Sequence, residues 1–336
     1  MAGVPDAITP LVVQIVRKHH NAPARTLARR VVAETNGALT LEQARTRVRR
    51  LLGQSGGDQA RQMADKSLVR PARKPGQKVE FPKTQAEDWV PYTFDVVGRI
   101  GVISDVHVPY HSDIAFHAAV EHLKKQKIAG LLINGDFADF YSISHWEKRP
   151  KYRDFPGELR TVRESLAWLR KQFPGIPITY KLGNHEERYQ KWLYQHAAEI
   201  SDEPEMGIDV WLRLHNHDIT LVQDQRIVML GELPVLHGHE LPRGISSPVN
   251  PARGAFMRTK HTVLIGHQHQ TSGHCEPDMF QAETFCWSAG CLCHLTPEFS
   301  RINRWNWGFA IVEVEKDGQF DVRNLRITSD GVVRTS

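Results

Sequence analysis

Five short apolar runs recur between residues 96 and 269, and each is broken off by residues that bind metals rather than by ordinary turn residues. Val96 and Val97 lead through Gly101-Val102-Ile103-Ser104 to Asp105 and His107, and Leu131-Leu132-Ile133 leads to Asn134-Gly135-Asp136. Ile178 to Leu182 ends in Gly183-Asn184-His185-Glu186. Val235-Leu236 ends in His237-Gly238-His239, and Val263-Leu264-Ile265 in Gly266-His267-Gln268-His269. Runs this short, rich in Val, Ile and Leu, read as buried strands. The carboxylates and imidazoles stand where each strand must become a loop.

Between the runs the apolar period changes to that of helices. Phe116, Ala119, Val120 and Leu123 predict a helix over 114–127, and a second amphipathic stretch covers 159–173 before Pro174-Gly175. Residues 187–200 predict a third, which places Asn184 and His185 near a helix N-terminus, a position that favours anions. Residues 308–314 and 320–327, separated by Lys316-Asp317-Gly318, read as a β-hairpin.

The first fifty residues contain helical periods only. Ile8, Leu11, Val12, Ile15 and Val16 share one face. Pro23 suits a helix first turn, and Leu27, Ala28, Val31 and Val32 continue to a stop at Asn36-Gly37. Thr40 and Gln43 have capping-box spacing for a third helix. Its apolar stripe is Leu41, Ala44, Val48 and Leu51, which leaves Arg45, Arg47, Arg49 and Arg50 around the remainder. Buried stripe and basic surround together are similar in outline to a helix-turn-helix, so these arginines are candidate nucleic-acid contacts. Residues 1–54 form the expected basic domain. Residues 55–91, rich in Gly, Pro, Ser, Gln and Lys, form a flexible tether, and residues 92–336 the domain that carries the chemistry.

An isolated Asp-x-His is usually a turn carboxylate and a surface imidazole. The ordered set Asp-x-His, Gly-Asp, Gly-Asn-His-Glu, His-Gly-His and Gly-His-x-His instead resembles the calcineurin-like metallophosphoesterases over residues 96–328. That resemblance implies an α/β fold, a two-sheet αββα sandwich, here with the small three-helix domain in front. It also implies two divalent ions, with Asp136 bridging them. Asp105, His107 and His269 complete one site, and Asn184, His237 and His267 the other. A hydroxide held between the ions attacks phosphorus, and His185 protonates the leaving oxygen. Manganese is the expected metal, and iron, zinc, nickel and cobalt suit the same donors. His239 and Arg188 are candidate substrate contacts, Asp139 and Glu186 are expected to orient the ligands, and Arg243, Arg253 and Arg258 lie in a loop-rich stretch between the last two histidine motifs, a candidate substrate wall. Tyr141, Trp146 and Tyr152, interleaved with Lys148, Arg149, Lys151 and Arg153, could stack bases or pack as a lid.

Charge sharpens the choice of substrate. Residues 1–80 carry 15 Lys and Arg against 6 Asp and Glu in a chain whose formal net charge is +5, so the remainder is mildly acidic. Polyanion affinity is therefore expected at the N-terminus, which makes DNA or another nucleic acid the favoured substrate of a tethered phosphodiesterase or nuclease. A phosphatase or phosphodiesterase of small nucleotides or phosphoproteins is the first alternative. A DNA-binding regulator with an inactive phosphoesterase domain is the second, although no expected ligand is missing. Pairing a helical domain with such an enzyme also resembles bacteriophage and prophage proteins. Neither a secretory signal nor a membrane-length apolar run is present, so a cytoplasmic protein without membrane association is expected. The four cysteines, Cys275, Cys286, Cys291 and Cys293, lack a C-x-x-C pair; buried strand thiols are expected there rather than disulfides or zinc.

Overall fold

The computed structural model describes residues 8–56, 66–70, 81–242 and 249–335. The chain divides into two compact units, Met1–Ala86 and Glu87–Ser336.

The first unit packs α1 (Thr9–Lys18), α2 (Ala24–Glu34) and α3 (Leu41–Leu51) around Val12, Ile15, Val16, Leu27, Ala28 and Val31. Pro23 lies one residue before α2, at its cap, and Asn36 and Gly37 end that helix with left-handed φ of 45° and 76°. The capping box of α3 is formed: Thr40 N donates to Gln43 Oε1 at 2.9 Å and Gln43 N to Thr40 Oγ1 at 3.3 Å. Ala44 and Val48 of the expected α3 stripe are buried, and Leu52 at the C-cap completes it in place of Leu41 and Leu51. Leu41 is 36% exposed and Leu51 half-buried, because the core faces the row of residues four apart. Leu68 is buried against the same core and Arg70 donates to Ala22 O at 2.9 Å, so part of the expected tether packs on the helices. Residues 57–65 and 71–80 of that tether lie outside the described residues.

The second unit is a two-sheet sandwich. Its strands are β1 (Tyr92–Thr93), β2 (Gly98–Ile103), β3 (Gly130–Asn134), β4 (Ile178–Lys181), β5 (Ile219–Val222), β6 (Val228–Leu230), β7 (Leu233–Leu236), β8 (Val263–Ile265), β9 (Ser272–Pro277), β10 (Glu283–Ser288), β11 (Gly308–Val314), β12 (Phe320–Ile327) and β13 (Val333–Thr335). One sheet has the order β13-β12-β11-β2-β3-β4-β5, the other β1-β6-β7-β8-β10-β9. Alternation along the strands builds two cores from each central strand. Ile100 and Val102 of β2, with Leu132 of β3, meet Val228, Val235 and Leu264 between the sheets. Ile103, Leu131 and Ile133 point the other way, onto α4 (Asp113–Lys125) and α5 (Phe155–Gln172). Outside the second sheet, α8 (Pro251–Thr259) covers Leu236, Val263 and Ile265.

Helix α5 begins earlier than the apolar period indicates, because Asp154 caps it by accepting from Gly157 N at 2.9 Å and Pro156 sits in its first turn. After the third motif, α6 (Glu187–His196) ends before the expected position, and the short α7 (Ile208–Leu212) follows. Among the described residues no helix is long and apolar enough to cross a membrane. Strands β2, β3, β4 and β5 are parallel, as are β7 and β8. Their C-terminal ends deliver all five sequence motifs to one edge of the sandwich, the edge where open parallel sheets present their sites.

Candidate active site

Strands β2, β3 and β8 stop by turning the backbone sharply into the left-handed region. Asp105 and His107 have φ of 55°, Asp136 52°, His267 65° and His269 54°. Few residues other than glycine adopt such angles, and their concentration at one edge marks a backbone held there by its surroundings. Hydrogen bonds between loops do the holding. His185 N donates to Asp136 Oδ1 and His267 N to Asp105 Oδ2, both at 2.9 Å, while Ser104 Oγ donates to Asp105 Oδ2 at 2.6 Å.

The side chains then converge. Asp105, His107 and Asp136 present ligand atoms within 4.8 Å of one another, as do Asp136, His237 and His267, and the two trios share Asp136. His269 Nε2 lies 3.0 Å from Asp105 Oδ1 and 3.2 Å from His107 Nε2, and His237 Nε2 lies 3.2 Å from Asp136 Oδ2. Ring tautomers are set from behind: His237 Nδ1 donates to Asn134 O at 2.7 Å, and His107 Nδ1 meets Asp139 Oδ1 at 3.0 Å. Both rings therefore turn Nε2 toward the carboxylates. Asp105 Oδ1, Asn184 Oδ1 and His237 Nε2 are buried without a hydrogen bond. Buried polar atoms are nearly always paired, so this group of inward-facing nitrogen and oxygen atoms fits divalent ions once the rings give up their protons.

Charges in the cluster compensate one another: burial disfavours charge on His237, but the Asp136 and Asp105 carboxylates raise it to about 10. Burial alone would raise the Asp136 carboxyl, but the charges of His185 and His237 outweigh it and hold it well below the usual range. Asp105 is lowered in the same way, against burial, chiefly by His269. Burial and the neighbouring His237 push His267 down to about 4, which leaves its lone pair available at neutral pH.

His185 borders this cluster: it forms a further close trio with His107 and Asp139, and its Nε2 lies 3.8 Å from Asp136 Oδ2. Its Nδ1 meets the Asp139 carboxylate and lies 3.0 Å from Asp139 O. Arg188 donates to Asp139 O and reaches His185 Nε2, each at 2.9 Å. Burial disfavours charge on His185, yet Asp136 and Asp139 raise its pKa overall. His239 is drawn aside, 2.8 Å from Glu187 Oε1.

Two buried carboxylates hold the loops without facing the centre. Glu186 accepts from Asp136 N at 3.0 Å, Ala138 N at 2.9 Å, Gly183 N at 2.8 Å and Tyr180 OH at 2.6 Å. Glu240 accepts from His237 N and Gly238 N and pairs with buried Lys181 at 2.8 Å. Burial would raise the Glu240 carboxyl, but Lys181 and His239 bring it down to about 2. Glu240 and Lys181 escape a sequence reading because their pairing crosses from β4 to the loop after β7, and neither sits in a recognisable spacing.

The glycine before Asn184 has a steric reason. A Cβ on Gly183 would overlap the Asp136 carboxylate and come within 2.6 Å of Asp136 N. Gly183→Ala is therefore expected to displace Asp136 and to lower kcat/KM by about 10²-fold, the effect of misplacing a reacting group by about 1 Å. Steady-state kinetics with a soluble fold checked by circular dichroism tests this; activity within threefold of the parent would contradict it.

Arg253 and Arg258 are not on a loop. They lie on α8, outside the second sheet, where Arg253 N donates to the capping Asn250 and Arg258 Nε to Gly254 O. Arg243 lies outside the described residues. Cys286, Cys291 and Cys293 are buried and Cys275 exposed, all as free thiols. Cys293 was not anticipated at the site, yet its Sγ is 3.7 Å from His269 Nδ1. Trp305, likewise unanticipated, packs its ring 4.1 Å from that of His269. Trp146 is exposed against His145, while Tyr141 and Tyr152 border the site. Of the arginines of α3, Arg45 meets Glu42 at 3.5 Å and Arg49 donates to Gln54 O at 3.1 Å.

The chain is 26% identical over 178 residues to the Gene 54 protein of Mycobacterium phage L5, a match covering 51% of this chain and 69% of that protein. Among solved structures, Vacuolar Protein Sorting 29 from Cryptosporidium parvum aligns at 14% identity and a TM-score of 0.37 over 72% of this chain and 97% of that one. A dimetal phosphatase from Danio rerio aligns at 14% identity and a TM-score of 0.36 over 68% and 96%. Residues 98–278 match the family model for calcineurin-like phosphoesterases, and with the motif-bearing strands of this range set in a two-sheet sandwich, the chain belongs to the calcineurin-like phosphoesterase family.

Proposed function

We propose that the chain is a two-metal phosphodiesterase acting on DNA, with manganese as its working ion. The observation that carries this reading is the sharing of Asp136 by two ligand trios, since paired ions need an anion common to both. Asp105, His107, Asp136 and His269 would hold one ion; Asp136, Asn184, His237 and His267 would hold the other. When bound, such ions neutralise charge on the phosphoryl oxygens and make a water acidic near neutral pH.

The remaining work falls to side chains of this chain. His185 holds a proton for the leaving oxygen, and Asp139 fixes its ring through Nδ1. Arg188, beside His185, brings a guanidinium toward a phosphate oxygen. His239, steadied by Glu187, is a further substrate contact. The excess of Lys and Arg in residues 1–80 supports DNA over small esters, with Arg45, Arg47, Arg49 and Arg50 contacting the phosphate backbone. The phage relative supports action within a bacterial host cell.

The test pairs bis-p-nitrophenyl phosphate and p-nitrophenyl phosphate with single- and double-stranded DNA, using manganese-loaded protein. Diester and DNA hydrolysis is expected, abolished by chelator and lowered by about 10²–10⁴-fold in His185→Ala. Replacing the four arginines by serine is expected to weaken DNA binding and to flatten its salt dependence by about 0.9 in the log–log slope for each phosphate no longer neutralised. Hydrolysis of small esters with DNA untouched would leave a small-molecule phosphoesterase. No turnover with any divalent metal would leave a DNA-binding regulator.

A further inference from the structure

A cavity of about 310 Å³ opens beside the candidate ligands, bordered by His107, Asp139 and His269 and lined further by five aromatic rings alongside polar residues such as His294, Thr296 and Glu298. Tyr110, Tyr141 and Tyr152 cluster edge to face, with centroids 5.7 Å apart for Tyr141 and Tyr152, 6.1 Å for Tyr110 and Tyr152, and 6.3 Å for Tyr110 and Tyr141. Phe299 extends this wall, 6.5 Å from Tyr141 and 6.2 Å from Trp305. The rings come from three separate segments: the loop after β2, the irregular stretch after β3, and the segment before β11. Arg149 Nε and Glu298 Oε1 tie the last two together at 2.9 Å.

Holding metal ions requires none of these five rings, and a hydrophobic core would have buried them. Phe299 is instead 66% exposed, and the three tyrosines and Trp305 remain partly accessible. An open π-surface that runs up to His107 and His269 suits a flat group attached close to the phosphorus. Nucleobases present such a face whatever their identity, and stacking on aromatic side chains is correspondingly tolerant of sequence. The volume is at the lower end for ligand pockets, enough for one base rather than a folded partner. Exposed Arg301 borders the same cavity and adds a cation that can stack or meet an adjacent phosphate.

We propose that this cavity receives the base of the nucleotide whose phosphate lies against the candidate metal ligands. The proposal rests on the phosphoesterase reading of the centre, and the experiment separates the two by measuring binding without turnover. The manganese-loaded full chain is titrated calorimetrically with dAMP, 2-deoxyribose 5-phosphate and O-phosphotyrosine. dAMP is expected to bind at least about tenfold more tightly than 2-deoxyribose 5-phosphate, the factor a stacked base supplies. Phe299→Ala and Tyr152→Leu should each remove most of that advantage while leaving the affinity for 2-deoxyribose 5-phosphate within twofold. Exposure of Phe299 keeps the first variant from disturbing the fold.

Equal affinities for dAMP and 2-deoxyribose 5-phosphate, or an advantage that both variants retain, overturn the base pocket. Preference for O-phosphotyrosine over dAMP overturns it in favour of an aryl phosphate site. Bis-p-nitrophenyl phosphate hydrolysis without any preference for dAMP sinks the base pocket alone, and a dAMP preference without hydrolysis sinks the phosphodiesterase reading alone.

Discussion

Asp136→Asn is expected to lower kcat/KM for a phosphodiester by about 10³-fold or more while leaving a folded protein. Asparagine keeps the size of the side chain and an oxygen that can accept from His185 N, the bond that Asp136 Oδ1 makes at 2.9 Å. What it lacks is the negative charge facing His237 Nε2 at 3.2 Å, and the second carboxylate oxygen that lets one residue serve both ligand trios. A loss of several kcal/mol of charge stabilisation corresponds to about a thousandfold in rate. Metal analysis provides an independent readout. The parent should hold two manganese ions per chain, and the variant at most one. The stabilisation that manganese gives the parent, about 2.7 kcal/mol at a hundred times Kd, should shrink in the variant and with it a Tm rise of about 5–10 °C. Two bound ions together with activity within tenfold of the parent would remove Asp136 from its proposed bridging place.

Glu186→Ala is the substitution expected to cost most in stability. The carboxylate is fully buried and accepts from three backbone N–H groups and a tyrosine hydroxyl. Removing it strands three buried amides at about 1–3 kcal/mol each, besides the cavity left behind. A loss of about 4 kcal/mol or more follows, which for a unit of this size lowers Tm by about 8–16 °C. Glu186→Gln should lose less, because the amide oxygen still accepts while its NH₂ group faces donors. Because the same amides belong to Asp136 and Gly183, metal affinity should fall in step with stability. A Tm change under 2 °C for Glu186→Ala would show that water replaces the carboxylate and that the two loops do not depend on it.

Chemistry that resides in single strands and their ends was legible in the sequence. Apolar runs ending in Asp105, Asp136, Asn184, His237 and His267 marked both the strands and the places where polar side chains emerge, because a buried strand tolerates such groups only where it stops. The capping box of α3 was legible for the same reason, being closed by residues three apart. Local periods placed α4 and the β11–β12 hairpin within a few residues.

Other features depend on segments that meet only after folding. Apolar period alone could not distinguish Leu51 from Leu52 as the residue facing the core of the first unit, since both fit the helical stripe until α1 and α2 choose a face. Nor could it place Arg253 and Arg258 on a helix outside the second sheet. The Lys181–Glu240 pair, Cys293 behind His269, and the aromatic wall from Tyr110 to Trp305 join segments tens to nearly two hundred residues apart.

By itself, the sequence determined which ligand-bearing side chains stand at the strand ends, because strand period and residue chemistry are local properties. Only the tertiary structure decided that Asp136 belongs to both trios, that five candidate ligands adopt left-handed backbone angles, and that aromatic rings crowd one flank of the centre. Those distances arise from two sheets packing face to face, and packing is a property of the whole core.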